Sequence, residues 1–329
     1  MGSSGWRDPS LRSAGRPSGY LLDPGRSWRI ATIVVFALCS GLQAVEGLIL
    51  PAAVGSHAAN YTAAAAAWLT GGDPWQVGPP AAIYAGPPPM LLLFAPFTAL
   101  PADLTRLIWV AAMFLVAVWV VRRLGLPGYW VAFPPMFQAI FLGHPEVLVI
   151  ALIVVGGPLS GAAAVIKPYA AAPLLAERRW SAFLVAIAVV LITSPFLPWA
   201  TFIADLPAIT ANLVRQNHGD STFGSPILMV VAIVALVSLG VRRGLWLSVP
   251  LLWPLAQPMY KTVTLPALSP FLAIAWSIPI PGFTLIGLVI EAIVLRLATR
   301  RPLPGWLIHG FEPASIRGPF GSPTPDPGV

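Results

Sequence analysis

The chain has 329 residues, 57% of them hydrophobic and only 9% charged, with a mean hydropathy of +0.79. A soluble domain carries about 25% charged residues, and with so few charges a normally soluble surface cannot be built. A soluble enzyme, a disordered chain and a nucleic-acid binder are therefore excluded as whole-chain readings. The net charge of +7 arises from 17 arginines and two lysines. The arginines sit mostly as pairs at the ends of apolar runs, whereas Lys167 lies inside such a run and Lys261 at a boundary between two.

Cys39 is the sole cysteine, so one chain offers neither a disulfide nor a cysteine-based metal site. Thirty-seven prolines are too many for long unbroken helices. In lipid, a broken helix persists only where protein or a wet cavity satisfies the freed backbone. The composition predicts an all-α, polytopic transmembrane bundle with broken or re-entrant helices and a polar cavity.

Residues 1–27 are rich in Gly, Ser, Pro and Arg without apolar periodicity and read as a disordered tail. The segment 30–50 is long enough to span a bilayer, for which about 20 residues are needed. The following LPAAVGSHA resembles a signal-peptidase site, but the late start and the later spans favour an uncleaved anchor. Further apolar runs cover 88–100, 104–121, 128–142, 146–157, 159–176, 180–198, 225–241, 244–259, 262–278 and 283–298. No loop is long enough for a soluble domain. Residues 28–300 thus form one transmembrane domain with a first outer loop at 51–87, and 301–329 form a disordered Pro/Gly-rich tail. No internal repeat of the kind that marks many transporters is evident.

The positive-inside rule places Arg26, Arg29 and the pairs at 122–123, 178–179, 242–243 and 300–301 in the cytoplasm, with the N-terminus. Each interval between pairs must then contain an even number of crossings. That holds if 88–100, part of 146–176 and one run of 244–298 are half-membrane or re-entrant, which leaves about eight full crossings. Local violations of the rule give ten or eleven instead. On this orientation the outer side collects His57, Asn60, Asp73, Tyr84, His144, Glu146, Arg215, Asn217, His218, Asp220, Tyr260 and Lys261. Acids, bases and cations gathered at one face point to binding or chemistry there.

Plainer roles stand beside these. His57 can serve as an interfacial helix-start residue, and Asp73 before Pro74 suits a turn. His144 and Glu146 can cap a helix, while Glu46 and Glu291 can snorkel or pair internally. Lys167 differs, because an ionisable residue inside a membrane run is costly and marks a functional site by default. Lys261 lies at a run boundary, where reaching water is easier.

The segment HAANYTAAAAAWLTGGDPW reads as a short helix from His57 to Leu69, ended by Gly71-Gly72. Asp73-Pro74-Trp75 follows, then Tyr84 through Pro89 and an apolar run ending Leu100-Pro101. This order resembles the first outer loop of the DUF2029 or glycosyltransferase family 87 proteins of the GT-C superfamily. Phe141-Leu142-Gly143-His144-Pro145-Glu146, Ile166-Lys167-Pro168-Tyr169 and Pro258-Met259-Tyr260-Lys261 resemble later motifs of that family. The resemblance covers about residues 30–300. Two departures stand out: His57 occupies the family's outer-loop acid position, and the family's Gln and Asn are missing at 143–146.

The resemblance implies a GT-C-like enzyme of about 8–11 membrane segments with an outer-face cavity. It implies inverting transfer of a mannose- or arabinofuranose-type sugar from a polyprenyl-phosphate donor to a cell-envelope glycan or glycolipid. His57 is the expected base, with Asp73 and Glu46 as substitutes and Glu146 a more distant one. Lys167, Lys261 and Arg215 are candidates to hold the donor phosphate. Tyr61, Trp75, Tyr84, His144, Glu146, His218 and Tyr260 are candidates to line the substrate site. No cofactor and no specific metal set is indicated, and nucleic acid is not an expected partner. The implied location is a bacterial plasma membrane, multi-pass, with the active site outside. Two rivals remain: an inactive homologue that binds polyprenyl phosphate or a partner, and a lipid-linked sugar transporter or flippase.

Overall fold

The structure, a computed structural model, describes residues 24–78, 84–215, 220–254, 257–300, Leu307 and 309–311. His218, Asn217 and most of both expected tails lie outside the described residues. The described chain is all-α, with no strand among the described residues. Among the described residues, two unbroken helices are long and apolar enough to cross a bilayer: α1 (Pro24–Ile49) and α4 (Ala102–Arg123). A helix rises about 1.5 Å per residue, so the 22 residues of α4 cover the roughly 30 Å hydrocarbon layer. Arg122 and Arg123 in its last turn suit the negative end of the helix.

The other apolar runs divide into shorter helices, and proline or glycine marks most breaks. The run at 88–100 becomes α3 (Pro89–Phe94), after the α2 helix Ser56–Leu69, and a 3-10 turn containing Pro96. α5 (Pro134–Leu142) and α6 (Glu146–Val155) are bent by 114° at residues 143–145 and together qualify as one broken span. Pro168 separates α7 (Gly161–Ile166) from α8 (Ala171–Ala176). The later helices are α9 (Trp180–Thr193), α10 (Trp199–Arg215), α11 (Pro226–Ser238), α12 (Val241–Leu247) and α13 (Val249–Leu252). A 3-10 segment, Pro258–Ala267, then leads into α14 (Pro270–Ser277) and α15 (Phe283–Ala298).

α5 is central: it packs on the 3-10 segment, α1 and α4. Small residues permit the close crossings. A Cβ on Gly47 would lie 2.1 Å from the Phe141 ring, and one on Gly161 would lie 2.1 Å from the Ala182 carbonyl oxygen. Leu42, Leu107, Leu184 and Ile227 point outward, as lipid-facing side chains do.

Three ionic knots tie the second half together: the first two are buried, and the third has an exposed arginine. Lys261 Nζ lies 3.1 Å from Asp220 Oδ1, which also accepts from Thr284. Arg243 pairs with Glu291, whose other oxygen accepts from Ser269 at 2.6 Å. Glu177 accepts two bonds from Arg242 and one from Trp246. Removing one member of a buried pair costs about 3–5 kcal/mol.

Candidate functional site

The site is built on the α5–α6 break. Gly143 adopts φ 70°, ψ 35°, and the amides of Gly143 and His144 bond back to Ile140 and Ala139 at 3.0 and 2.7 Å. This pair of bonds ends a helix with a left-handed glycine. A side chain there would meet Ala58, Gly55 and Trp109 at 3.1–3.2 Å. The Trp109 indole donates to the Gly143 carbonyl at 2.9 Å and fixes the corner to α4. Pro145 then starts α6, placing Glu146 in its first turn, where the helix N-terminus favours a negative charge.

Glu146 is fully buried. Its Oε1 accepts a short hydrogen bond from the Tyr169 hydroxyl and lies 3.1 Å from His144 Nδ1. Its Oε2 is buried without a hydrogen-bond partner among the described residues. Tyr169 reaches the cluster because Pro168 disfavours helix at the residue before it. Lys167 is accordingly extended (φ −140°, ψ 105°) and ends α7, and a 3-10 turn carries Tyr169 inward.

Lys167 is 7% exposed. Its Nζ sits 5.9 Å from the Tyr61 ring centroid and 5.8 Å from that of Tyr260. It interacts electrostatically with Glu146, His144 and His57. No carboxylate lies within ion-pair distance of it among the described residues. A desolvated ammonium held between two aromatic faces gains from the ring quadrupoles and keeps its donors available to an anion.

α2 supplies the opposite wall. His57 meets His144 edge-on with ring centroids 4.9 Å apart, and Tyr61 meets His144 at 5.9 Å. Tyr260, on the 3-10 segment, packs on His144 at 5.6 Å and on Tyr169 at 5.2 Å. His57 is half-buried, whereas Tyr61 and Tyr260 are buried. Burial, reinforced by the neighbouring His144 and by the Lys167 charge and opposed by Glu146, pushes the His57 imidazole down to about 3. It is neutral at pH 7. Burial also keeps Tyr61 protonated, well above the usual phenol range.

His57, Tyr61, His144, Glu146, Lys167 and Tyr260 thus share one cluster. Trp75 and Tyr84 adjoin it. Asp73 accepts from the Trp75 amide at 2.9 Å, and the indole of Trp75 donates to the Gly86 carbonyl at 3.1 Å. Trp75 packs on Tyr84 at 6.3 Å and Tyr84 on Tyr61 at 5.8 Å. Asp73 itself lies beside Asp205 of α10, whose carboxyl is raised by desolvation and then by Asp73.

The remaining candidates lie elsewhere. Glu46 is exposed near the end of α1, and Arg215 is exposed at the end of α10. Lys261 is committed to Asp220 and to the Trp276 carbonyl. Tyr169 was not singled out by sequence reasoning, although it stands within the Ile166–Tyr169 motif. Its place two residues after Lys167, beyond a helix-breaking proline, was the available signal. Among the described residues no three His, Cys, Asp or Glu side chains form a metal-binding group.

An all-helical, apolar fold with helices long enough to cross a bilayer is that of a helical membrane protein. The profile of glycosyltransferase family 87 matches residues 84–278. That is more than half of the chain, which therefore belongs to glycosyltransferase family 87 and is a membrane glycosyltransferase. No curated protein and no solved structure matches. The matched region holds His144, Glu146, Lys167, Tyr169 and Tyr260, while His57, Tyr61 and Asp73 precede it.

Proposed function

We propose that this protein transfers a mannose- or arabinofuranose-type sugar from a polyprenyl-phosphate donor to an envelope glycan or glycolipid. Transfer takes place on the outer face of a bacterial plasma membrane, with inversion at the anomeric carbon. The observation that carries this reading is Lys167, a nearly buried cation with no ion-pair partner among the described residues, facing an aromatic and carboxylate-bearing wall. A leaving phosphate develops negative charge as the anomeric C–O bond breaks, and a prepositioned ammonium stabilises it.

Glu146 is the proposed base. It takes the proton of the acceptor hydroxyl as that oxygen bonds to the anomeric carbon, and polyprenyl phosphate departs toward Lys167. The free Oε2 supports this role. His57, held neutral, orients the acceptor hydroxyl as a hydrogen-bond partner. An imidazole pushed down to about 3 is a weak base, since base catalysis works best near the operating pH.

The test is transfer by purified protein in nanodiscs, with labelled polyprenyl-phosphate sugar and an envelope acceptor extract. Wild type should transfer, and Lys167→Met should lose donor binding. Donor binding without transfer would instead favour a non-catalytic, lipid-binding homologue. The observation favouring that second reading is His57, where related sequences are expected to carry an acid.

A further inference from the structure

Far from this cluster in sequence, α11 and α15 pack together and leave a groove of about 560 Å³ between them. That volume falls in the range of about 300–1,000 Å³ typical of small-molecule sites. One wall is Val230 and Val234, and the other is Val289 and Ile293. Each pair is spaced by four residues, so each forms a continuous stripe on its helix. Ala235 and Ala292, both buried, form the floor. Small side chains there let the groove sink between the helices.

Arg296 and Arg300 also line this groove. They lie one turn apart, Arg296 in the last turn of α15 and Arg300 just beyond it. Both are exposed, and neither has a carboxylate within ion-pair distance among the described residues. No acidic residue lines the groove among the described residues. An apolar trough bearing two uncompensated guanidinia matches a molecule with an acyl chain and a phosphate. Guanidinium grips phosphate through paired hydrogen bonds.

We propose that this groove binds an anionic phospholipid, with an acyl chain along the valine stripes and its headgroup phosphate on Arg296 and Arg300. The site is independent of the transfer reaction and stands whether or not that reading holds. It differs from diffuse attraction of a basic surface, because it requires both the trough and these two arginines.

Native mass spectrometry of the full chain released from nanodiscs tests it. The probes are phosphatidylglycerol and phosphatidylcholine with identical chains, and inorganic phosphate. Phosphatidylglycerol should be retained in preference to phosphatidylcholine. A basic residue near an anionic surface contributes about fivefold, so Arg296→Gln with Arg300→Gln should lower the preference by roughly thirtyfold. Val234→Trp, which fills the trough and keeps both arginines, should also reduce retention. Arg26→Gln with Arg29→Gln, at exposed positions on α1, should leave the preference unchanged. Equal retention of the two lipids would overturn the proposal. So would full preference in the arginine variant, an equal loss in the α1 variant, or complete displacement by inorganic phosphate at millimolar concentration.

Discussion

His144 and Glu146 stand two residues apart on either side of Pro145, and the Nδ1 of one lies 3.1 Å from Oε1 of the other. The 114° break between α5 and α6 makes this possible. On a continuous helix, residues two apart point to different faces. Here the break brings both side chains together, with Glu146 accepting from the Tyr169 hydroxyl and both groups interacting electrostatically with Lys167. The bend therefore shapes the candidate site.

Glu146 and Tyr169 should separate chemistry from support. Glu146→Gln keeps the shape of the carboxyl but removes its proton affinity, and general-base losses are about 10²–10⁴-fold. We expect kcat to fall by that order while the donor Kd is little changed. Tyr169→Phe withdraws the donor from a buried acceptor, which costs about 1–3 kcal/mol of stability. It should lower the thermal midpoint and reduce kcat less than Glu146→Gln does. Single-turnover transfer and thermal unfolding in nanodiscs measure both. Wild-type kcat in Glu146→Gln would remove it as the base.

The two lysines should behave differently. Lys261 is tied to Asp220 within a fully enclosed knot. Lys261→Met leaves Asp220 without its cation and should cost about 3–5 kcal/mol. Adding Asp220→Asn should restore part of the loss, because the stranded charge is then gone. Lys167→Met should instead abolish donor binding with a small change in stability. If Lys261→Met spares the thermal midpoint and selectively loses donor binding, Lys261 belongs to the phosphate site after all.

Gly143 tests the corner itself. Its positive φ costs an L side chain about 1–2 kcal/mol, and its surroundings leave a Cβ only 3.1–3.2 Å from three neighbours. Gly143→Ala should therefore destabilise by more than the dihedral cost alone and shift His144. Ala139→Gly, in the same helix but with helical geometry, supplies the comparison. An equal effect from both would mean that the corner has no special role.

Composition made the all-helical membrane class legible, because charge scarcity leaves few other solvents for such a surface. Proline positions likewise pointed to breaks within 88–100 and 146–176, and the helices divide at Pro89 and Pro168; the bend at Pro145 was not among them. Lys167 was legible as a costly ion within an apolar run. The partners of Lys261 and Glu291 were not: Asp220 lies 41 and Arg243 lies 48 positions away, and no local pattern encodes such pairs. Tyr169 looked like one more aromatic after a proline. Only the fold shows its hydroxyl on Glu146. Helix lengths were also hidden, since periodicity marks an apolar run but not where its axis turns.

His57 ties pH to stability, and the sign follows from its two states. Unfolded, an imidazole titrates near 6.5; folded, burial and then the nearby His144 and the Lys167 charge push it down to about 3. Between these values the unfolded chain binds a proton that the folded chain refuses, so stability rises with pH. The contribution is complete above pH 6.5 and is lost as pH falls toward 3. Partial exposure of His57 moderates the slope, because water screens the repelling charges. His57→Gln removes the titrating group and should flatten this part of the stability–pH curve between pH 6.5 and 4.5. Thermal midpoints of wild type and variant in nanodiscs over that interval are the measurement. Parallel curves would show that His57 is protonated in the folded protein and that its enclosure is looser than its packing against His144 implies.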